Sequence, residues 1–165
     1  MNVRRFIWLG TIVFVVCLLS YAIYLERTEY LDACSLCLTQ RFFYAVVAFA
    51  AFLGLFLIRN RGWQSLSASL YIVGAIGGLA TAGRQVWLQH LPKDQVPECG
   101  LGIVYFLENK PFLDTIKYLF QGDGNCAEFK WSLFGLSMAE WSLLFFVSML
   151  IVGLVMLLRR PAKSA

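Results

Sequence analysis

The sequence predicts an all-α membrane protein: a four-transmembrane-helix bundle with a short interfacial helix in the second outer loop. Composition is the first observation behind this. Of 165 residues, 59% are apolar and 15% charged, against roughly 45–50% apolar in soluble domains. The second is four apolar runs, about 6–24, 42–58, 66–82 and 138–158, each near the ~20 residues that cross a ~30 Å hydrocarbon core. The third is charge segregation. Arg4, Arg5, Arg59, Arg61, Arg159, Arg160 and Lys163 lie in the termini and middle connection, with no acid among them. All ten acidic residues fall in or at the edges of the other two connections, about 25–35 and 91–137. The positive-inside rule then places both termini and the middle turn in the cytoplasm. The net charge of +4 is a topology signal and gives no support to a nucleic-acid partner. Residues 1–165 read as a single membrane domain.

In chain order, the first run follows Arg4 and Arg5 like a signal peptide, but it is long. It ends in Ile23-Tyr24-Leu25-Glu26 without a small-x-small site, so it reads as a retained anchor. Cys17 within it reads as a buried packing residue. The first outer loop is short and holds Cys34 near the membrane surface, and the second span opens at about Leu36 to Arg41. Phe42, Phe43 and Tyr44 supply an aromatic belt there. In the third run, Gly74 and Gly78 form a small-xxx-small pair suited to close helix approach. Arg84 and His90, the only histidine, sit at its outer end. In the second outer loop, Pro111 to Gln121 reads as a short helix with an apolar stripe of Phe112, Leu113, Ile116, Leu119 and Phe120, closed by Gly122. That stripe suits the membrane interface, leaving Cys99 and Cys126 on mobile ends. The tail from Pro161 reads as disordered.

Chemistry concentrates in Cys34-Ser35-Leu36-Cys37-Leu38-Thr39-Gln40-Arg41. At 3.6 residues per turn, Cys34, Cys37 and Arg41 fall within roughly 60° of one another on one helix face. The helix N-terminus and the guanidinium both favour thiolate, the nucleophilic form. Cys34, Cys37, Cys99 and Cys126 all fall on the outer side, where disulfides persist. A disulfide across so short a loop constrains little chain, which favours redox work for Cys34 and Cys37 over a structural staple. Cys99 and Cys126, taken alone, fit a staple; their position on the same side as the CxxC favours exchange. A four-cysteine zinc site remains an alternative, although only one pair has the usual knuckle spacing, and no metal is expected.

Electrons entering the CxxC must leave. The sequence has no dinucleotide-binding fingerprint, no P-loop and no C-x-x-C-H haem site. The membrane offers a diffusible acceptor, a quinone. A headgroup between the second and third spans would meet Arg41, with Arg84 or His90 as further donors, and cations there would stabilise the reduced oxygens.

The run Ala33 to Arg41, the Cys99-Gly100-Leu101-Gly102 turn, and Gly122-Asp123-Gly124-Asn125-Cys126 through Trp131 with Phe134-Gly135-Leu136-Ser137-Met138 resemble the DsbB family of bacterial disulfide bond formation proteins. Ala33 and Ala139 stand where that family commonly has proline. The resemblance implies a multi-pass protein of the bacterial inner (cytoplasmic) membrane with its redox loops, about 25–35 and 91–137, in the periplasm. It implies a thiol oxidase that reoxidises a DsbA-like thioredoxin-fold partner and passes electrons to ubiquinone or menaquinone. Cys34, Cys37, Cys99 and Cys126 would be catalytic, with Arg41 and His90 as quinone contacts. The partner would attack Cys99; released Cys126 would attack Cys34; and Cys37 would become the thiolate beside Arg41. Two rivals remain: a vitamin K epoxide reductase-like protein, whose CxxC follows its loop cysteines in chain order, and a non-enzymatic four-span scaffold.

Overall fold

A computed structural model describes residues 3–28, 34–56, 61–92, 94–100, 103–128 and 132–158. The elements are α1 (Val3–Thr28), α2 (Ser35–Phe56), α3 (Arg61–Gln89), α4 (Ile103–Asn109), α5 (Phe112–Gln121), a 3-10 turn (Gly124–Cys126), β1 (Ser132–Leu133), β2 (Leu136–Ser137) and α6 (Met138–Leu158). Helices α1, α2, α3 and α6 are long and apolar enough to cross a bilayer. The chain is a multi-pass membrane protein. Ala33, Arg59, Arg159, Arg160, Trp131 and the tail from Pro161, all used in the sequence reading, lie outside the described residues.

Three spans exceed their apolar runs, because the helix continues through polar residues at the membrane edge. Helix α1 carries on through Glu26 and Arg27, which the hydropathy pattern assigned to a loop. Helix α2 starts at Ser35, so the CxxC occupies its first turn. Helix α5 matches the anticipated short helix, with Pro111 as N-cap and Gly122 closing it at φ 75°. Its Phe112 and Leu113 point outward, while Phe120 meets Phe43 of α2 edge-on. Helix α4 and the β1–β2 hairpin were not anticipated.

In lipid, apolar contact gains little from leaving water, so helix association depends on close packing. The bundle centre follows that rule. Helix α3 lies between α2 and α6. Tyr44 stacks on Phe146 with ring centroids 4.2 Å apart, and the Phe146 ring occupies the space a side chain at Gly78 would need. A Cβ at Gly54 would stand 2.6 Å from the Trp8 ring, so α1 seats on α2 by the same means. Helices α1 and α6 meet through Phe14 and Phe145, and at the end remote from the cysteines Arg4 donates to the Met156 carbonyl at 2.8 Å. Cys17 faces outward and is exposed, which corrects its reading as a buried packing residue.

Helix α6 begins in a capping box. The Glu140 N–H donates to Ser137 Oγ at 3.2 Å, and the Ser137 N–H donates to Glu140 Oε2 at 2.7 Å. Ser137 Oγ also donates to Gln89 Oε1 at 2.9 Å, tying the start of α6 to the end of α3.

Candidate redox site

Cys34 is the N-cap of α2. Its carbonyl accepts from the Leu38 N–H at 3.1 Å, and its sulfur accepts from the Cys37 N–H at 3.3 Å. The sulfur thus takes the place of the oxygen that usually satisfies a free N–H at a helix start. Cys34 and Cys37 bring their sulfurs to 2.6 Å, so a small side-chain rotation joins them.

Cys126 approaches Cys34 from the other side. The 3-10 turn carries it, fully buried, onto the first turn of α2, where its sulfur lies 3.5 Å from Ser35 Oγ and shares a buried cluster with Cys34. The expectation that Cys126 sits on a mobile end is therefore corrected: short-range packing against Leu36 and Leu88 fixes it. Its sulfur is also 3.3 Å from Asp123 Oδ1, and Tyr118 donates to Asp123 Oδ2 at 2.5 Å. Asp123 is buried. Cys99 is exposed and lies in the irregular segment 97–100. That segment crosses the turn, with the Gly124 N–H donating to the Glu98 carbonyl at 3.2 Å. A Cβ on Gly124 would lie 2.6 Å from the Pro97 carbonyl oxygen and 3.3 Å from Cys99 Sγ. Only glycine lets Cys99 come this close to the turn that holds Cys126.

The thiols are not equivalent. Cys34 is pushed well above the ordinary thiol range by its hydrogen bonds with Cys126 and Cys37, and then by burial. Cys126 is held below the ordinary 9.0 by the hydrogen bond with Cys34, with further donation from Ser35 and the N–H groups of Asp123 and Leu36, against the opposing effect of burial. Of this pair, Cys34 keeps the proton and Cys126 is the better nucleophile.

On the bundle side of the cysteines lies a cavity of about 380 Å³, within the roughly 300–1,000 Å³ of small-molecule sites. Its apolar walls are Leu18, Tyr21, Ala22 and Leu25 of α1 facing Met138, Trp141 and Phe145 of α6. Cys37, Gln40, Arg41 and Gln85 line it as well. Sequence reading placed the acceptor between the second and third spans. Val47 of α2 packs against Gly74 and Phe43 against Gly77, while at the outer end the cavity is lined by Cys37, Gln40, Arg41 and Tyr44 of α2 and Gln85 and Gln89 of α3 together with the α1 and α6 walls.

Arg41 lines this cavity and donates to Glu26 Oε2 at 2.7 Å. His90 and Arg84 are not among the lining residues. His90 is exposed, with Nδ1 2.8 Å from the Val86 carbonyl; Arg84 donates to the Gln121 carbonyl at 3.3 Å and lies over Trp87. Sequence reading missed Glu26, Gln85, Tyr44 and Asp123. Glu26 alone had a usable signal, an acid at the end of a span beside an arginine-bearing helix start. Among the described residues, the buried Tyr44 hydroxyl, on the Ser142 side of the cavity, has no hydrogen-bond partner of ordinary geometry.

Four membrane helices with three clustered cysteines and a fourth beside them at one end define a class: a membrane-embedded thiol–disulfide redox protein. The family model for disulfide bond formation protein DsbB matches residues 4–156, and the chain belongs to that family. Among its relatives, the disulfide bond formation protein B of Marinobacter nauticus is 41% identical over 156 residues, covering 93% of this chain and 92% of that protein. Disulfide bond formation protein B 1 of Pseudomonas aeruginosa is 39% identical over 145 residues, covering 88% and 89%. That of Hahella chejuensis is 40% identical over 146 residues, covering 87% of each. The protein is accordingly a disulfide-forming redox protein.

Proposed function

We propose that this protein is a quinone-dependent protein thiol oxidase of a bacterial cytoplasmic membrane, reoxidising a DsbA-like periplasmic dithiol protein. The observation that carries the reading is Cys34 between two sulfurs, Cys37 at 2.6 Å on one side and Cys126 on the other. Cys34 is thereby able to exchange one disulfide partner for the other. Both cysteine pairs then face the periplasm, both termini are cytoplasmic, and residues 1–165 act as one domain.

In this reading the resting enzyme holds Cys34–Cys37 and Cys99–Cys126 disulfides. A partner thiolate attacks exposed Cys99; the Cys99–Cys126 bond breaks, and its electron pair leaves on Cys126. The Cys126 thiolate attacks Cys34, a Cys34–Cys126 bond forms, and the electron pair of the old bond leaves on Cys37. Cys37 faces the cavity. Ubiquinone or menaquinone fits there: the apolar walls suit a ring and its tail, and the unpaired Tyr44 hydroxyl and Arg41 suit carbonyl oxygens. A bound quinone supplies an acceptor of two electrons and two protons, which balances the two electrons and two protons lost by the partner dithiol. His90, suggested by family resemblance, lies outside the cavity and is assigned no contact in this reading.

The test is purified protein with a reduced DsbA-like partner and a short-chain quinone, followed by quinone absorbance. Cys34→Ser, Cys37→Ser, Cys99→Ser and Cys126→Ser each abolish turnover, and Arg41→Ala weakens quinone use. Normal turnover in Cys37→Ser would overturn the assigned exit.

A further inference from the structure

Cys37 must accept a full negative charge inside a largely apolar helix bundle, and the structure indicates what receives it. Arg41 is one turn on, but its guanidinium already holds Glu26 at 2.7 Å. Among the described residues it makes no hydrogen bond to the Cys37 sulfur. In the reduced protein the Cys34 thiol, 2.6 Å away, is one donor, but that sulfur carries no proton once it is bonded to Cys126; the side-chain donor that remains is an amide. Gln85 Nε2 lies 3.4 Å from Cys37 Sγ and 3.6 Å from Cys34 Sγ, within ordinary reach of sulfur acceptors.

The orientation of that amide is held from behind. Gln40 Nε2 donates to Gln85 Oε1 at 2.7 Å. With Oε1 occupied, both hydrogens of Gln85 Nε2 are free for the two sulfurs. Gln85 and Gln40 are each only 5% exposed, so water does not compete for the contact. Gln85 projects from the last turns of α3 and Gln40 from α2, so the amide chain spans the tight α2–α3 seam.

We propose that Gln85, oriented by Gln40, is a catalytic residue that donates to Cys37 as the Cys34–Cys37 bond opens. The step balances. Cys126 thiolate forms a bond to Cys34, the Cys34–Cys37 bond breaks, and one negative charge moves from Cys126 to Cys37 with no proton transferred. A neutral amide fits this role because it stabilises the new charge without adding a permanent one. Hydrogen bonds to charged groups contribute about 1.5–3 kcal/mol, and each 1.4 kcal/mol is about tenfold. The proposal rests on the reading of Cys37 as the electron exit.

The experiment uses full-length, fully reduced protein in lipid nanodiscs, free of quinone, with Cys34→Ala in every sample, the otherwise wild-type parent included, so that no Cys34 thiol donates to Cys37. Iodoacetamide labelling of Cys37 is read by mass spectrometry from about pH 6 to about pH 10. Gln85→Glu keeps the shape and the acceptor for Gln40 but removes the donor; Gln85→Leu removes both polar atoms. Both label Cys37 about tenfold more slowly than wild type near neutral pH, and their rates converge with wild type at high pH, where the thiolate forms regardless. Gln40→Leu, which only frees the amide to turn, slows labelling by about threefold. Rates equal to wild type across the range in Gln85→Leu would overturn the proposal, as would a slowing that is the same at every pH, which marks blocked access. Thermal melting identifies any variant that fails to fold; Gln40→Leu then decides, and wild-type labelling in it contradicts the orientation argument. No quinone takes part, so failure here is distinct from failure of quinone reduction in the oxidase assay.

Discussion

Cys99 and Cys126 are 27 positions apart, belong to one outer connection and end up beside the same turn, yet their surroundings are opposite. Cys126 is wholly buried on the first turn of α2, with donors around its sulfur. Cys99 is exposed on an irregular segment held to that turn through Glu98 and Gly124. The difference separates two tasks. An exposed sulfur can be reached by a second protein, whereas a buried one can attack only what the fold puts beside it. In the proposed cycle, pairing one of each would let electrons enter from a large partner while the next exchange stays sealed from solvent thiols.

That contrast can be broken in graded ways. The largest effect is in labelling. In the fully reduced protein a water-soluble alkylating reagent modifies Cys99 at least about 100-fold faster than Cys126, because access outweighs thiolate character when a group is buried; mass spectrometry of the two peptides reads the ratio. Next is Gly124→Val, which must push away the Pro97 carbonyl. Overpacking of about 1–3 kcal/mol lowers partner-driven reduction by about tenfold or more while leaving the Cys34–Cys37 pair intact, read by thiol mapping of each pair.

A smaller effect follows from the depressed Cys126 thiol. The Cys34 donor is absent while Cys34 is in a disulfide, but Ser35 and the N–H groups of Asp123 and Leu36 still favour the Cys126 thiolate, and reactivity declines as pH falls through the Cys126 pKa. Ser35→Ala removes one donor and raises that value. Exchange between Cys126 and Cys34 then slows about threefold near neutral pH, with rates converging at alkaline pH, measured by stopped-flow with the reduced partner. The smallest effect is at Cys17, which faces away from the bundle. Cys17→Ser leaves turnover within about twofold in the quinone assay.

The spans were legible because hydropathy reports composition over a long window, and α6 matches its apolar run, 138–158. The helix ends were not, because they depend on hydrogen bonds rather than hydropathy. Glu26 reads as a loop residue until Arg41 is seen to hold it. The start of α6 was an exception that could have been found: Ser137-x-x-Glu140 before an apolar run is a capping-box signature. The CxxC face with Arg41 was readable from helical spacing alone. Gln85 was not, because the α2–α3 register that brings it to Cys37 is a tertiary fact. The small residues of the third span pointed to close packing, and Gly74, Gly77 and Gly78 provide it against Val47, Phe43 and Phe146. The cavity has no local signature, since its lining is drawn from α1, α2, α3, α6 and the second outer loop.

The most direct test of the account is to react quinone-free wild-type protein with excess reduced partner, quench in acid, alkylate and map the disulfides. The account predicts a Cys34–Cys126 disulfide, the partner joined to Cys99 and Cys37 as the free thiol. Retention of Cys34–Cys37 with Cys126 free, or a linkage from Cys34 to Cys99, would contradict it.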